Sequence, residues 1–473
     1  MSLLGIDVGT TGVKAVAYSN DGRLLAQAYA EYNILRPSPG WAELDPVEVW
    51  QKTRQIIRRV AASTMSDPIR AISVSSLGEA MVPVTANRQI LGTSIVANLD
   101  RRGEEYLPQL AGAMDEERLY ALNGNSLGNN YSLTRLKWLQ EHQPDLYRRA
   151  EKFLLWGSFV LFMLGAEPAV DYSLANRTML FDVDNQTWSD ELLSWAGLEL
   201  AKLPAVVPSG SAVGAISTGM AAELGVSSQA VLVAGAHDQC ANAVGCGVIK
   251  AGRAVYGMGT FFCITPAFRQ RREPAVMLAR GLNTEHHAVP GLFASFIYNQ
   301  GGVLVKWFRD TFAGGELQQS GGNIYEQLIA EMPSAPSSVL MLPHFAPTGP
   351  PDFITDSRGV IVGLQLETTR GDILKGVIEG TAYYLKEIVN SLPPTGINIH
   401  EYRATGGGAK SDRWVQTIAD IMGQPVIRPQ NTEAGALGAA IIAGVGSNTF
   451  ASYQEGVAAM VRLDRTFEPD AQM

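Results

Sequence analysis

Near the start of the chain an apolar run delivers a single acid, Asp7, into Gly9-Thr10-Thr11-Gly12, and a second apolar run follows from Val13. The pattern predicts a β-hairpin whose turn offers backbone N–H groups and two hydroxyls beside one carboxylate. Such a turn suits a phosphate chain: N–H groups and hydroxyls donate to its oxygens, and the acid can hold a magnesium ion. A tight hairpin with no ligand fits the same residues. The spacing is not a Walker A loop, since no G-x-x-x-x-G-K-[ST] follows, nor a dinucleotide fingerprint, since no G-x-G-x-x-G opens a helix. Two later stretches also carry chemistry. In Val233-Ala234-Gly235-Ala236-His237-Asp238-Gln239 a carboxylate stands just past an apolar run, at the strand end where ligands usually bind. A base there could take a proton from a hydroxyl attacking a phosphoryl group. On spacing alone an N-cap is the better reading of Asp238, because Cys240-Ala241-Asn242-Ala243 opens a helix. In Thr405-Gly406-Gly407-Gly408-Ala409-Lys410-Ser411-Asp412 three glycines let a flat ligand lie against backbone beside a helix start, or form a plain flexible turn.

The elements that must position these residues alternate between strand and helix periods. Strands are expected over Leu3–Val8, Val13–Ser19 and Leu24–Tyr32, with Asn20-Asp21-Gly22 as a turn. A Pro- and Gly-rich loop, Pro37-Ser38-Pro39-Gly40-Trp41, precedes a helix that Asp45 caps, Pro46 opens and Ser63 ends. Ile69–Ser75 reads as a strand, and Met81–Thr85 with Ile90 as a hairpin. From about Glu104 to Leu203 the chain is mainly helical, with one long segment over Leu146–Leu164. Ala230–Ala236 is a buried strand, and Ala254–Gly257 leads into a Gly259-Thr260 turn. Asp238 ahead of Gly259-Thr260 echoes Asp7 ahead of Gly9-Thr10, which suggests two related halves. Glu401–Thr405 is a strand running into the three glycines, and Asp412–Met422 an amphipathic helix.

Composition bounds what such a chain can be. With 473 residues, 46% hydrophobic and 18% charged, it should hold two or three ordinary globular domains. A formal net charge of −9 argues against nucleic acid or anionic membrane as a partner. A polyphosphate would then be held by backbone amides and a metal rather than by a basic field. Cys240, Cys246 and Cys263 show no C-x-x-C pairing and read as small buried residues. No basic n-region opens a signal peptide, and Phe153–Gly165 is too short to span a bilayer. The expectation is a soluble, cytoplasmic protein.

Taken in order, these pieces resemble the FGGY carbohydrate kinases. The resemblance lies in the hairpin Asp7–Lys14, the segment Gly40-Trp41-Ala42-Glu43-Leu44-Asp45-Pro46, the turn Gly235–Gln239, Gly259-Thr260 and Gly406-Gly407-Gly408. Asp171-Tyr172-Ser173-Leu174-Ala175-Asn176-Arg177-Thr178 is similar to the D-x-S-x-A-S-R-T stretch of xylulokinase-like members. It runs from about Leu3 to Pro469, and it is specific because separated motifs agree. It implies an α/β fold of two actin-like (ribonuclease H-like) ATPase domains around a central cleft. Residues 1–246 would form the N-terminal domain, binding sugar and carrying the base, and 247–473 the C-terminal domain, binding nucleotide. The cofactors implied are ATP and Mg2+. By position Asp238 corresponds to the general base and Asp7 to the magnesium-associated acid. Thr10, Thr11 and Lys14 belong to the first phosphate turn, Gly259 and Thr260 to the second, and Gly406, Gly407 and Gly408 to the adenosine turn. Gly78, Glu79, Asn98, Asp100 and Asn130 fall, with Asp238, in segments that contact sugar hydroxyls.

Departures from the family pattern fall where substrate choice would be made. In Ile95-Val96-Ala97-Asn98-Leu99-Asp100-Arg101-Arg102, Asn98 stands where the family's W-x-D-x-R wording has tryptophan, so an amide replaces an apolar wall. Pro347-Thr348-Gly349-Pro350-Pro351 departs from the usual G-E-R-x-P. The expected reaction is ATP-dependent phosphorylation of a ketose or polyol hydroxyl, with a xylulose-like pentulose favoured. The rivals are an actin- or chaperone-like ATPase and a non-catalytic sugar-binding regulator of the same fold. The expected partner is a small sugar or polyol, with self-association as a homodimer left open.

Overall fold

The computed structural model describes residues 2–96, 99–319 and 324–472. They divide into two compact units. The first comprises Met1–Ile249, Thr284–Ala294 and Glu433–Arg462, and the second Lys250–Asn283, Ser295–Thr432 and Leu463–Met473. These units differ from the contiguous spans 1–246 and 247–473, because two later segments return to the first unit.

In the first unit the opening apolar run forms the strand Ser2–Val8, antiparallel to Gly12–Ser19 and parallel to Ile69–Ser76. Val231–His237 lies parallel on the far side of Ile69–Ser76. The six-stranded sheet is completed at its edges by Leu24–Glu31 and Ala212–Ala215. Register then decides what meets at one end. Asp7 stands opposite Ser75, and Ser76 opposite His237, so the acids Asp7 and Asp238 leave the C-terminal ends of parallel strands together. The helix Pro46–Ser63 forms as expected: Asp45 accepts from the Val47 N–H, and Val49, Trp50, Ile56, Ile57 and Val60 fill the core below.

The Gly- and Ala-rich helix Ala434–Gly446 is the return segment. It lies so close that Cβ atoms built on Gly5, Gly245 and Gly438 would fall 1.8–2.0 Å from a neighbouring backbone oxygen. Small residues are therefore required on both faces of that contact. Met81–Thr85 turns back to Ile90 as expected, with Thr85 N–H donating to Gln89 O and Leu91 N–H to Pro83 O, both at 2.9 Å, and Met81–Val84 also pairs along its length with Lys152–Leu155. One expectation needs correction here. The pairing with Lys152–Leu155 interrupts the expected long helix, leaving Pro144–Arg149 and the largely apolar Trp156–Leu164 on either side of the strand.

The second unit repeats the hairpin-plus-parallel-strand plan. Arg253–Met258 is antiparallel to Phe261–Phe268 and parallel to Glu401–Thr405, which is parallel to Val426–Pro429. Leu463–Phe467 and Ile297–Gln300 add antiparallel strands at the two sides. The counterpart of Asp7-Val8-Gly9-Thr10 is thus Gly257-Met258-Gly259-Thr260, with no acid. Asp238 belongs to the first unit's sheet, so the echo lies between the hairpins and excludes Asp238. Among the described residues no helix is long and apolar enough to cross a membrane. Cys240 and Cys246 are buried, Cys263 is partly so, and none forms a disulfide.

Candidate active site

The first unit's hairpin turn is held rigidly. Gly9 N–H donates to Gly12 O at 2.9 Å, and the Tyr32 hydroxyl donates to the carbonyls of Gly9 and Gly12 at 2.6 and 3.0 Å. This leaves Thr10 half-buried and Thr11 exposed at the tip. Beneath them Ser75 Oγ donates to Asp7 Oδ1 at 2.7 Å. Burial, helped by the charges of Asp238 and Glu433, raises Asp7 to about 6, against the Ser75 hydrogen bond and Lys14. Such a carboxylate is an anionic site short of a cation, and its oxygen donors suit magnesium. Lys14, opposite Asp7 in register, pairs with Glu433 at the head of the helix Ala434–Gly446. Gly435 in that helix approaches Asp7 so closely that its Cβ would lie 2.9 Å from Oδ2.

Asp238 is the first residue of the helix Asp238–Gly245, where His237 holds the cap position. The N-cap reading is therefore corrected: a cap accepts from its own helix's N–H groups, and Asp238 stands one residue too late. Its side chain is 34% exposed and stays available to a ligand.

The sugar-side candidates divide by their partners. Glu79, at φ 62°, accepts from Arg177 Nε at 2.7 Å and also from Nη2. Arg177 lies over Gly78, where a Cβ would meet its Cγ at 2.8 Å. Asn130 is exposed in the loop before Ser132–His142. Asp100 is a different case, because its carboxylate is buried and fully engaged. It accepts from Ala42 N–H at 2.7 Å, from Arg102 N–H at 2.8 Å and from the Arg102 guanidinium. Arg102 also pairs with Glu43 and lies 3.9 Å from the Trp41 ring centroid. Asp100 thus holds this loop, and the expectation that it contacts substrate is corrected. Asn98 lies outside the described residues.

Residues absent from the sequence reading complete this region. Glu285, fully buried, accepts from Arg177 Nη1 at 3.4 Å and pairs with His237 Nδ1 at 2.8 Å. Nothing around Glu285 in sequence marks it, because its partners arrive through folding. Tyr32, which fixes the turn, read only as the end of a strand.

In the second unit the Gly259-Thr260 turn is exposed and braced from below. Gly302 N–H donates to Gly259 O, and Val303 N–H to Thr260 O, both at 3.0 Å. Gly302 opens the helix Gly302–Phe312 and has no room for a side chain, since its Cβ would lie 2.4 Å from Gly259 O. The pair Gly301-Gly302 just before an apolar helical run was the available signal for this brace. Gly406 sits at φ 93°, and its Cβ would meet the Met258 carbonyl at 2.9 Å and Gly259 N at 3.1 Å. The glycine turn and the Gly259-Thr260 turn are therefore adjacent. Beside them a cavity of about 340 Å³ is lined by Thr405, Gly406, Ala409, Lys410, Arg428 and Asn431, among others. Gly408 packs on Met258, whereas Gly407 faces open space, a floor on which a flat ring can lie. Arg428 is held by Asp412 and Asp464, while Lys410 is exposed.

Residues 2–245 match the N-terminal domain of the FGGY family of carbohydrate kinases, and residues 252–447 its C-terminal domain. The chain is 29% identical over 471 residues to a xylulose kinase of Staphylococcus epidermidis, covering 99% of this chain and 92% of that protein. It is 32% identical over 488 residues to a glycerol kinase of Acidovorax ebreus, covering 99% and 94%. The crystal structure of a xylulose kinase from Rhodospirillum rubrum superposes with a TM-score of 0.88 at 25% identity, covering all of this chain and 95% of that one. The chain belongs to the FGGY family of carbohydrate kinases, ATP-dependent phosphotransferases with the actin-like, ribonuclease H-like fold.

Proposed function

We propose that this kinase phosphorylates a hydroxyl of a ketose, a xylulose-like pentulose first and a small polyol second, with Asp238 as the general base. The observation that carries the reading is the strand register, which brings a partly exposed Asp238 and a half-buried Asp7 to one end of a single sheet. The relatives named xylulose kinase and glycerol kinase support the two acceptor classes. A sugar hydroxyl is a poor nucleophile until its proton leaves, and a carboxylate at the strand end can receive that proton. The acceptor oxygen then bonds to the γ-phosphorus as the bridging bond to ADP breaks, and the proton resides on Asp238. Glu79, held by Arg177, offers carboxylate oxygens to sugar hydroxyls. The turns at Thr10-Thr11 and Gly259-Thr260 present backbone N–H groups to phosphate oxygens, with Lys14 near the first. Gly406, Gly407 and Gly408 form the floor for adenosine. Asp7 would hold the magnesium ion, which neutralises phosphate charge when bound.

The test is ADP release with Mg·ATP across D-xylulose, other ketoses, glycerol and aldoses, with Asp238→Asn in parallel. A sugar-dependent rate that falls at least about 100-fold in the variant is expected, with sugar binding retained. More than about a tenth of wild-type turnover in Asp238→Asn would remove it as the base. Equal, sugar-independent hydrolysis by both proteins would point to an ATPase.

A further inference from the structure

His237 ends the strand Val231–His237, and Asp238 begins the helix that follows. The His237 ring is buried, and its backbone N–H donates to Ser173 Oγ at 2.8 Å. Both ring nitrogens face carboxylates: Nδ1 lies 2.8 Å from Glu285 Oε1, and Nε2 lies 3.3 Å from Asp238 Oδ1. A buried imidazole has two polar nitrogens to satisfy, and Glu285 supplies a partner for only one of them. The second nitrogen is turned instead toward the one acid of this cluster that a ligand can reach.

We propose that His237 is a positioning residue for phosphoryl transfer, anchored by Glu285 and holding one oxygen of Asp238 so that the other faces the acceptor hydroxyl. The inference rests on the reading of Asp238 as the base. Two ionised groups face the ring as anions, Glu285 and Asp238, and one as a cation, Arg177, which also ties Glu285 to Glu79. Asp171 sits one step further away, hydrogen-bonded through Ser173. Burial alone would push His237 down. The charges of Glu285 and Asp238 and the hydrogen bond to Glu285 outweigh burial and Arg177, and raise it to about 9. At neutral pH both nitrogens therefore carry protons, and the imidazolium fixes the orientation of the Asp238 carboxylate. Cys240 Sγ also lies 3.6 Å from Glu285 Oε1, but burial and the Glu285 charge keep it a thiol. A metal bound by this trio would need a thiolate, so the cluster reads as an ion-pair relay.

The experiment uses the full-length enzyme with His237→Gln, Glu285→Gln and Asp238→Asn, recording kcat and KM for sugar and ATP from pH 5 to 10. In His237→Gln, kcat is expected to fall about ten-fold or more, with the KM for ATP within about two-fold and the alkaline limb of the profile, which His237 would set, lost. In Glu285→Gln the alkaline limb is expected to move to lower pH than in the wild type, because the anion that holds the proton on His237 is gone. A folded His237→Gln with wild-type kcat and unmoved limbs would overturn the proposal. Should that variant fail to fold, unmoved limbs in Glu285→Gln would overturn it equally. An active Asp238→Asn removes the base assignment and this proposal together; an inactive one with unmoved limbs in the other variants removes only the role of His237.

Discussion

The contact between the helices Asp238–Gly245 and Ala434–Gly446 sets the spacing of the two acids, and one methyl group tests it. A Cβ on Gly438 would fall 1.9 Å from Ala241 O. Non-bonded heavy atoms settle at roughly 3.5 Å or more, so Gly438→Ala must separate the helices by about 1.5 Å. Retreat is blocked on another side, because Ala436 O of the same helix lies 1.8 Å from where a Cβ on Gly5 would sit. Alanine improves helix propensity by about 1 kcal/mol, but overpacking costs about 1–3 kcal/mol or more and wins. The expected result is a net loss of about 1–2 kcal/mol, seen as a drop of several degrees in the thermal midpoint. Activity should fall further. Asp238 heads one helix and Gly435 of the other touches Asp7, so a shift of this size misplaces both acids, and roughly 100-fold in kcat is at stake. Gly219→Ala is the matched control, since it lies in the helix Thr218–Leu224 with nothing within 4 Å of its Cβ position. It should be neutral or stabilise by up to about 1 kcal/mol, with unchanged kcat. Gly438→Ala with wild-type midpoint and kcat within two-fold would refute the claim that this contact sets the geometry.

Two further outcomes are expected, one in each unit. Arg177→Lys replaces a fork that reaches both Glu79 and Glu285 with a single ammonium, so it should raise the sugar KM about ten-fold or more while sparing the KM for ATP; equal effects on both would place Arg177 away from sugar. Gly406→Ala meets both a φ of 93° and the Met258 carbonyl, and should raise the KM for ATP about ten-fold with little change for sugar; an unchanged nucleotide KM would separate that turn from ATP.

Local signals were legible where local chemistry decides the outcome. Asp45 and Pro46 announced their helix, and Glu401–Thr405 and Asp412–Met422 form at the expected bounds. The turn at Gly9–Gly12 was readable because a hairpin needs only its own residues. The break in Leu146–Leu164 was not, since Lys152–Leu155 becomes a strand only by pairing with Met81–Val84. Periodicity within one segment cannot register a partner elsewhere in the chain. Glu285 and the return helix Ala434–Gly446 were missed for the same reason. Asp238 was misread as a cap because the strand extends through His237, one residue beyond the expected end, and moves the cap position with it.

The two hairpins show how one topology can hold unlike chemistry. Asp7-Val8-Gly9-Thr10 and Gly257-Met258-Gly259-Thr260 occupy the same place in their sheets, with a parallel strand beside each. Only the first carries an acid, and it carries it half-buried, beside a serine hydroxyl and near two further carboxylates. An acid at the second turn would set a negative charge against any phosphate bound there and would need its own cation. Glycine at 257 avoids that repulsion, and at 302 it allows the bracing helix to touch the turn at Gly259. The shared fold therefore supplies two turns of similar shape, and the identity of one residue in each decides which of them offers a carboxylate.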